Sequence, residues 1–453
     1  MADWARDAVF YHVYPLGLCG APERNDFSAP AQPRLAELHA WIPHLREMGV
    51  TALYLGPLFE SAAHGYDTAD FLRVDRRLGT NATLAELTAA LRAAGIRTVL
   101  DGVFHHVGRD FAPFRDLREN REGSPYRDWF AGIDFGGRSP YGDPFSYAGW
   151  RGHYELVKLN PRNPAVREHL FAAVRGWIEE FGIDGLRLDV AEDLEPAFLR
   201  DLAAFCRGLR PDFWLLGEAS GGDYRGLAGP GMLDSVTNYE VYRALHCSHN
   251  DRSFFAFAAC LDRQFGEGGL YRGLSLYAFA DNHDVHRAAS TLRESAHLAT
   301  LYALLFTIPG VPSIYYGSEW GIRGVKAHDT DLPLRPCLRW PDAERDAPCP
   351  RLAQLIACLA RIRHASPALR RGTYRPLHVA REQLAFAREA EGERVIVTVN
   401  AAAEPARLEL AVDAPDGGAF CDLLHPGVGF TVHRGRLCIS PIPPRSARIL
   451  RLR

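Results

Sequence analysis

Between residues 8 and about 365 the chain alternates short β-branched or aromatic runs with longer amphipathic segments, and this alternation constrains the fold most. Eight runs read as strands: AVFYHVYP (8–15), TALYLGP (51–57), RTVLDGVF (97–104), GLRLDV (185–190), FWLLGEA (213–219), DSVTNY (234–239), LYAFADN (276–282) and PSIYYGSE (312–319). LAELHAWIPHLREMG (35–49), TLAELTAALRAAG (83–95) and ESAHLATLYALLF (294–306) read as helices between them. The clearest helix has Asn163 as N-cap, Pro164 at the first helical position, an apolar stripe from Val166 to Phe181, and Gly182 as its stop. Eight β–α units predict a (β/α)8 TIM barrel, an α/β fold that places its chemistry at the carboxyl ends of the strands.

Two departures from the alternation predict further modules. The third and fourth strands stand roughly 80 residues apart, far more than one helix and its loops require. The Gly-, Pro- and aromatic-rich stretch at 107–160 is therefore expected to be an inserted domain over the mouth of the barrel. Its Trp129, Tyr141, Phe145, Tyr147 and Trp150 either stack on sugar rings or hold the loops together. After about residue 370 the pattern becomes six short alternating strands, which predicts an antiparallel β-sandwich. The expected division is thus a barrel over 1–106 and 161–369, the insertion at 107–160 and the sandwich at 370–453.

A formal net charge of −3 gives no reason to expect nucleic acid or an anionic membrane as a partner. The amino terminus lacks the apolar core of a secretory signal, and no run reaches the ~20 apolar residues of a membrane span. Nine scattered cysteines without a CxxC pair argue for reduced thiols and a cytoplasmic protein, and against a zinc site.

Four predicted strands end in a carboxylate close to Arg or His: DGVFHH (101–106), GLRLD (185–189), GEAS (217–220) and DNHD (281–284). Arg187 and Asp189 lie two apart on one strand and share a face, so the guanidinium is expected to lower the pKa of Asp189 and keep it ionised. Glu218 follows the apolar run FWLL with no basic residue nearer than Arg225 on its carboxyl side, surroundings that raise a pKa. Asp284 adds a third carboxylate. One ionised and one protonated carboxyl are what retaining glycoside hydrolysis requires. Surface salt bridges are the plain alternative for any single pair. A carboxylate-bound metal is the chemical rival, and HxH and HExxH arrangements are missing.

These four segments, in this order, resemble the conserved motifs of the α-amylase family, glycoside hydrolase family 13. The resemblance implies Asp189 as nucleophile, Glu218 as acid/base and Asp284 as transition-state stabiliser. It implies that Tyr66 in GYDTADF (65–71), His106, Arg187 and His283 hold the sugar, that Asp101 supports the site, and that Asp331 and Arg335 bind the next sugar outward. LVKLNPRNPAVREHL (156–170) resembles the cyclomaltodextrinase, neopullulanase and maltogenic amylase members, but the amino-terminal domain of that group has no counterpart before the first strand. Glu192-Asp193 stand where Asn-Glu is usual, at positions expected to face the leaving group. His105 stands where many relatives have a calcium-binding Asn, so no metal or cofactor is expected. The implied activity is retaining hydrolysis of α-1,4 bonds in maltooligosaccharides, cyclodextrins or related short α-glucans. Transglycosylation or isomerisation by the same triad, and a non-catalytic glucan-binding barrel, are the alternatives.

Overall fold

The computed structural model describes residues 2–328 and 330–453. Eight parallel strands form the barrel: β1 (Phe10–Val13), β2 (Ala52–Leu55), β3 (Arg97–Gly102), β4 (Gly185–Leu188), β5 (Trp214–Gly217), β6 (Ser235–Val236), β7 (Tyr277–Phe279) and β8 (Val311–Tyr315). They follow one another around the ring in the order β6-β5-β4-β3-β2-β1-β8-β7, and a parallel bridge between Thr237 and Tyr277 joins its two ends. Seven of the eight strand-like runs in the sequence contain one of these strands, and the eighth (312–319) overlaps the last, which begins one residue earlier at Val311.

The two-residue repeat of a strand divides the side chains between two cores. Phe10, Tyr54, Val99, Trp214, Leu216, Tyr277 and Phe279 point inward and fill the barrel. Tyr11, Leu53, Leu55, Leu100, Leu186, Leu188 and Ile314 point outward and pack beneath the helices. The floor is closed by the short helix Trp4–Asp7, whose Trp4 ring lies 6.1 Å from Phe10 and 5.9 Å from Trp214. The same repeat carries the inward face from Gly185 through Arg187 to Asp189, and from Trp214 through Leu216 to Glu218. The barrel is thus apolar below and charged at its carboxyl end.

The helix over 163–182 forms as the sequence dictates. Asn163 accepts a hydrogen bond from the Ala165 N–H, the helix runs Pro164–Phe181, and Gly182 turns left-handed at φ 61°. The run at 35–49 departs from expectation. Arg34–Trp41 is a 3-10 helix and only Ile42–Glu47 is α-helical. Pro43 is the physical reason, since it has no N–H to donate and its ring obstructs the carbonyl four residues back.

Between β3 and β4, His106–Gly108, His153–Lys158 and Gly149–Trp150 pair as a small antiparallel sheet. The carboxyl-terminal region has eight antiparallel strands where the sequence suggested six. Ala419–Asp422 is too short to show a period, and Arg436–Ile442 contains Pro441, which weakens a strand reading. Arg434 and Gly435, at φ 52° and 71°, make the tight turn leading into the latter strand. One face of this sheet (Phe386, Val397, Ile449) packs on the barrel's helical layer, and the other (Ala385, Ile396, Leu450) builds a core with Leu408, Leu410 and Leu437. Two fully buried arginines lie near this junction, and Arg388 crosses it. Arg388 donates to the carbonyls of Thr307, Gly372 and Thr373, and Arg363 to those of Leu369 and Gly310. Burial pushes both guanidinium groups down to about 9.

Candidate active site

The parallel register places Asp101 of β3 directly opposite Arg187 of β4. Arg187, only 3 % exposed, is the hub of the site. Its Nη1 donates to Asp101 Oδ1 at 2.9 Å and to Asp189 Oδ1 at 2.9 Å, while its Nη2 lies 2.9 Å from Glu218 Oε2. One guanidinium therefore holds carboxylates from three consecutive strands, a fork geometry that an ammonium could not reproduce.

Val190, which follows Asp189, adopts φ 40° and ψ 47°, a left-handed conformation costly for a β-branched residue. The turn aims its N–H at Glu218 Oε2, 2.9 Å away. Both of these contacts to Glu218 fall on Oε2. Oδ2 of Asp189 lies 3.7 Å from His106 Nε2.

A second group of residues closes the ring of contacts. His283 Nε2 is 3.1 Å from Asp284 Oδ2, and the Tyr66 hydroxyl meets the same nitrogen. Tyr66 also lies parallel to His283, with ring centres 5.6 Å apart, and its hydroxyl reaches Asp101 at 3.4 Å. Arg335 donates from Nη2 to Asp284 at 3.3 Å and to Asp331 at 2.9 Å, and from Nε to the His283 carbonyl at 3.1 Å. All ten residues expected to form the site thus lie in one connected network. The loop bearing Tyr66 depends on Gly65, whose φ of 89° suits glycine and whose Cβ, if present, would meet Pro57 at 2.7 Å.

The electrostatics differ from expectation. Arg187 touches Glu218 as well as Asp189, so one-sided pairing does not separate the two acids. Burial, reinforced by Glu218 and Asp101, pushes Asp189 well above the ordinary carboxylate range against the pull of Arg187. Glu218 is also raised, by burial and then by Asp284, with Arg187 and the Val190 N–H pulling it down. Sequence proximity showed the guanidinium but not the loss of water that outweighs it. Carboxyls joined in this way titrate as a set, and the set retains a proton above the normal carboxylate range. The imidazoles stay neutral: burial lowers His106 to about 3 and holds His283 well below its usual value.

Four further residues reach this network without having been singled out. Tyr54 donates to Asp101 at 2.6 Å, His12 stacks on Tyr54 at 4.2 Å, Tyr14 lies parallel to His283 at 6.0 Å, and Lys326 donates to the Asp284 carbonyl at 3.3 Å. His12 and Tyr54 share the inward face of adjacent strands, and polar residues inside apolar runs were the available signal. Of the inserted aromatics, Trp150 alone approaches the network, its ring 5.9 Å from His106 and its Nε1 donating to Asp193 at 3.1 Å. Phe145 and Tyr147 are buried against Phe114, Trp129 packs on Tyr126 and His169, and Tyr141 covers Arg109. Those four hold the insertion together. A calcium ion does not fit beside His105, whose Nδ1 faces His106 Nδ1 at 3.2 Å, because calcium takes oxygen ligands.

A barrel mouth that holds several carboxyls around a shared proton, among neutral imidazoles and tyrosines, is equipped to protonate and displace at an acetal carbon. That is the chemistry of the carboxylate glycosidases. Comparison with known proteins is specific. Residues 38–352 match the family described as alpha amylase, catalytic domain, and residues 374–451 match the neopullulanase-like C-terminal domain. A cyclomaltodextrinase of a Bacillus species is 32 % identical over 422 residues, covering 88 % of this chain and 73 % of its own. Neopullulanase 2 of Thermoactinomyces vulgaris is 31 % identical over 480 residues, covering 97 % of this chain and 77 % of its own. The structure of the cyclic α-maltosyl-(1→6)-maltose hydrolase of Arthrobacter globiformis superposes with a TM-score of 0.82 at 27 % identity, over 99 % of both chains. The chain belongs to the α-amylase family of glycoside hydrolases. Among the described residues, no helix is long and apolar enough to cross a membrane.

Proposed function

We propose that the protein hydrolyses α-1,4 bonds in short or cyclic α-glucans with retention of configuration. Asp189 attacks the anomeric carbon through Oδ2, Glu218 protonates the leaving oxygen, and Asp284 stabilises the positive charge that develops on the ring. The hub contact carries this reading: Arg187 orients Asp189 and Glu218 together, and the buried set keeps the proton that the acid must deliver. Tyr66 supplies a flat face for the donor sugar. Asp331 and Arg335 provide hydrogen bonds beyond it. Short or cyclic substrates are favoured by the named relatives, a cyclomaltodextrinase and a cyclic maltosyl-maltose hydrolase. The proposed division into a barrel at 1–106 and 161–369, an insertion at 107–160 and a sandwich at 370–453 is supported by the separate small sheet and the second core. A cytoplasmic location is supported by nine free thiols.

The test is product analysis with maltotriose, β-cyclodextrin, pullulan and soluble starch, following the anomeric form by NMR. α-Anomers released first, faster turnover of the short or cyclic substrates than of starch, and loss of turnover in Asp189→Asn and Glu218→Gln support the reading. β-Anomers as the first product refute it.

A further inference from the structure

We propose that Arg151, at the tip of the insertion, is a specificity-determining residue that latches the leaving-group side of the cleft and binds the departing sugar. The inference rests on the glycosidase reading above. Arg151 and Gly152 form the turn between Trp150 and His153, with φ of 48° and 90°. This is the two-residue turn of an antiparallel pair, the same form as Arg434-Gly435, and it brings the Arg151 side chain to the β4 loop. Nη2 of Arg151 lies 3.0 Å from Glu192 Oε1 and 3.3 Å from Asp193 Oδ2, and its guanidinium sits 5.4 Å from the centre of the Trp150 ring.

The acids stand three and four residues after Asp189 in the β4 loop. Glu192 is in turn held by the loop of the acid: Ser220 donates to it from N and from Oγ, each at 2.9 Å. Ser220 stands two residues from Glu218, and its carbonyl accepts from Arg243 at 2.8 Å. The latch therefore ties the insertion to the loops of both proposed catalytic carboxyls. Through Ser220 it is joined to the loop that carries the acid Glu218, and the leaving sugar must sit on the side of that acid.

The atoms left for that sugar follow from the same contacts. Both Glu192 oxygens are engaged by Ser220 and Arg151, so Glu192 acts as a strut and not as a ligand. Asp193 uses Oδ2 for Trp150 and Arg151 and retains Oδ1. Arg151 makes both ion pairs through Nη2 and retains Nη1 and Nε. A carboxylate oxygen and two guanidinium donors beside an indole ring match adjacent hydroxyls on a neutral pyranose. Arg151 is more than half exposed, so the latch forms the rim of the cleft.

The experiment compares maltotriose, which has a leaving sugar, with α-glucosyl fluoride, which has none. Arg151→Ala should lower kcat/KM for maltotriose by about tenfold, the scale of losing hydrogen bonds to a charged group. The loss on the fluoride should be at least five times smaller. Added maltose should also yield a lower ratio of transfer to hydrolysis in the variant. Glu192→Gln, which loosens the latch from the other side, should show the same ordering. Equal losses on both substrates, or no loss on maltotriose, overturn the inference. A wild-type protein inert to both substrates overturns the glycosidase reading itself, and the latch with it.

Discussion

Asp189 is expected to cost stability in return for reactivity, and Asp189→Asn tests this directly. The side chain is 8 % exposed and lies with Glu218 and Asp101 around one guanidinium. Asparagine keeps the size and can still accept from Arg187 Nη1, so packing and the 2.9 Å bond survive while one buried negative charge is removed. Because the folded pKa of Asp189 is raised, the native state holds this proton more tightly than the unfolded chain. Its contribution to stability is complete below the unfolded carboxylate pKa of about 3.9 and is lost as pH rises through the folded value. The variant lacks this loss. A tenfold difference in proton affinity between the folded and unfolded chain is worth about 1.4 kcal/mol, and the desolvation penalty of a buried polar group is about 1–3 kcal/mol. At about 2.1 cal/mol/K per residue, a chain of this length gains roughly 1 °C in Tm for each kcal/mol. Asp189→Asn should therefore melt about 1–3 °C above wild type at pH 8 and show little difference near pH 4, while losing turnover. The assay is differential scanning calorimetry or urea unfolding across that pH range. A variant less stable at pH 8, or an offset independent of pH, refutes the argument that burial dominates this carboxyl.

Three other outcomes follow from single contacts. Tyr54→Phe removes the 2.6 Å hydrogen bond to Asp101 and should cost about 1.5–3 kcal/mol, lowering kcat by roughly tenfold or more in steady-state assays. Val190→Gly relieves a left-handed strain of about 1–2 kcal/mol but loses a buried side chain of comparable worth. Tm should change little while kcat falls, because the N–H that holds Glu218 Oε2 is less firmly fixed. Arg388→Met leaves the carbonyls of Thr307, Gly372 and Thr373 without their partner and should destabilise by about 3–5 kcal/mol, read by urea unfolding as a lower midpoint.

The fold was legible because its signals are local. The eight strand-like runs carry their own apolar character, and the Asn163–Gly182 helix carries its own cap and stop. The site was legible where a carboxylate ended a strand-like run beside Arg or His. Tyr54, His12 and Arg151 were not legible, because their partners lie 47 residues away in Asp101, across a strand pair in Tyr54, and 41 residues away in Glu192. The protonation of Asp189 departs from expectation for the same reason. Its covalent neighbourhood contains the guanidinium two residues back, whereas the competing carboxyls arrive from other strands and solvent is excluded only once the ring is complete. Pro43 has the opposite character, a local signal that the amphipathic pattern around it obscures.

The bridge between Thr237 and Tyr277 makes turnover a reporter of the closed ring. Asp189 and Glu218 stand on one side of that seam and Asp284 on the other, so no fragment ending in the connection at 266–274 can assemble all three. Two pieces cut there would each be inert and would recover activity only by reassociating. Released sugar therefore requires that the circle of strands has closed.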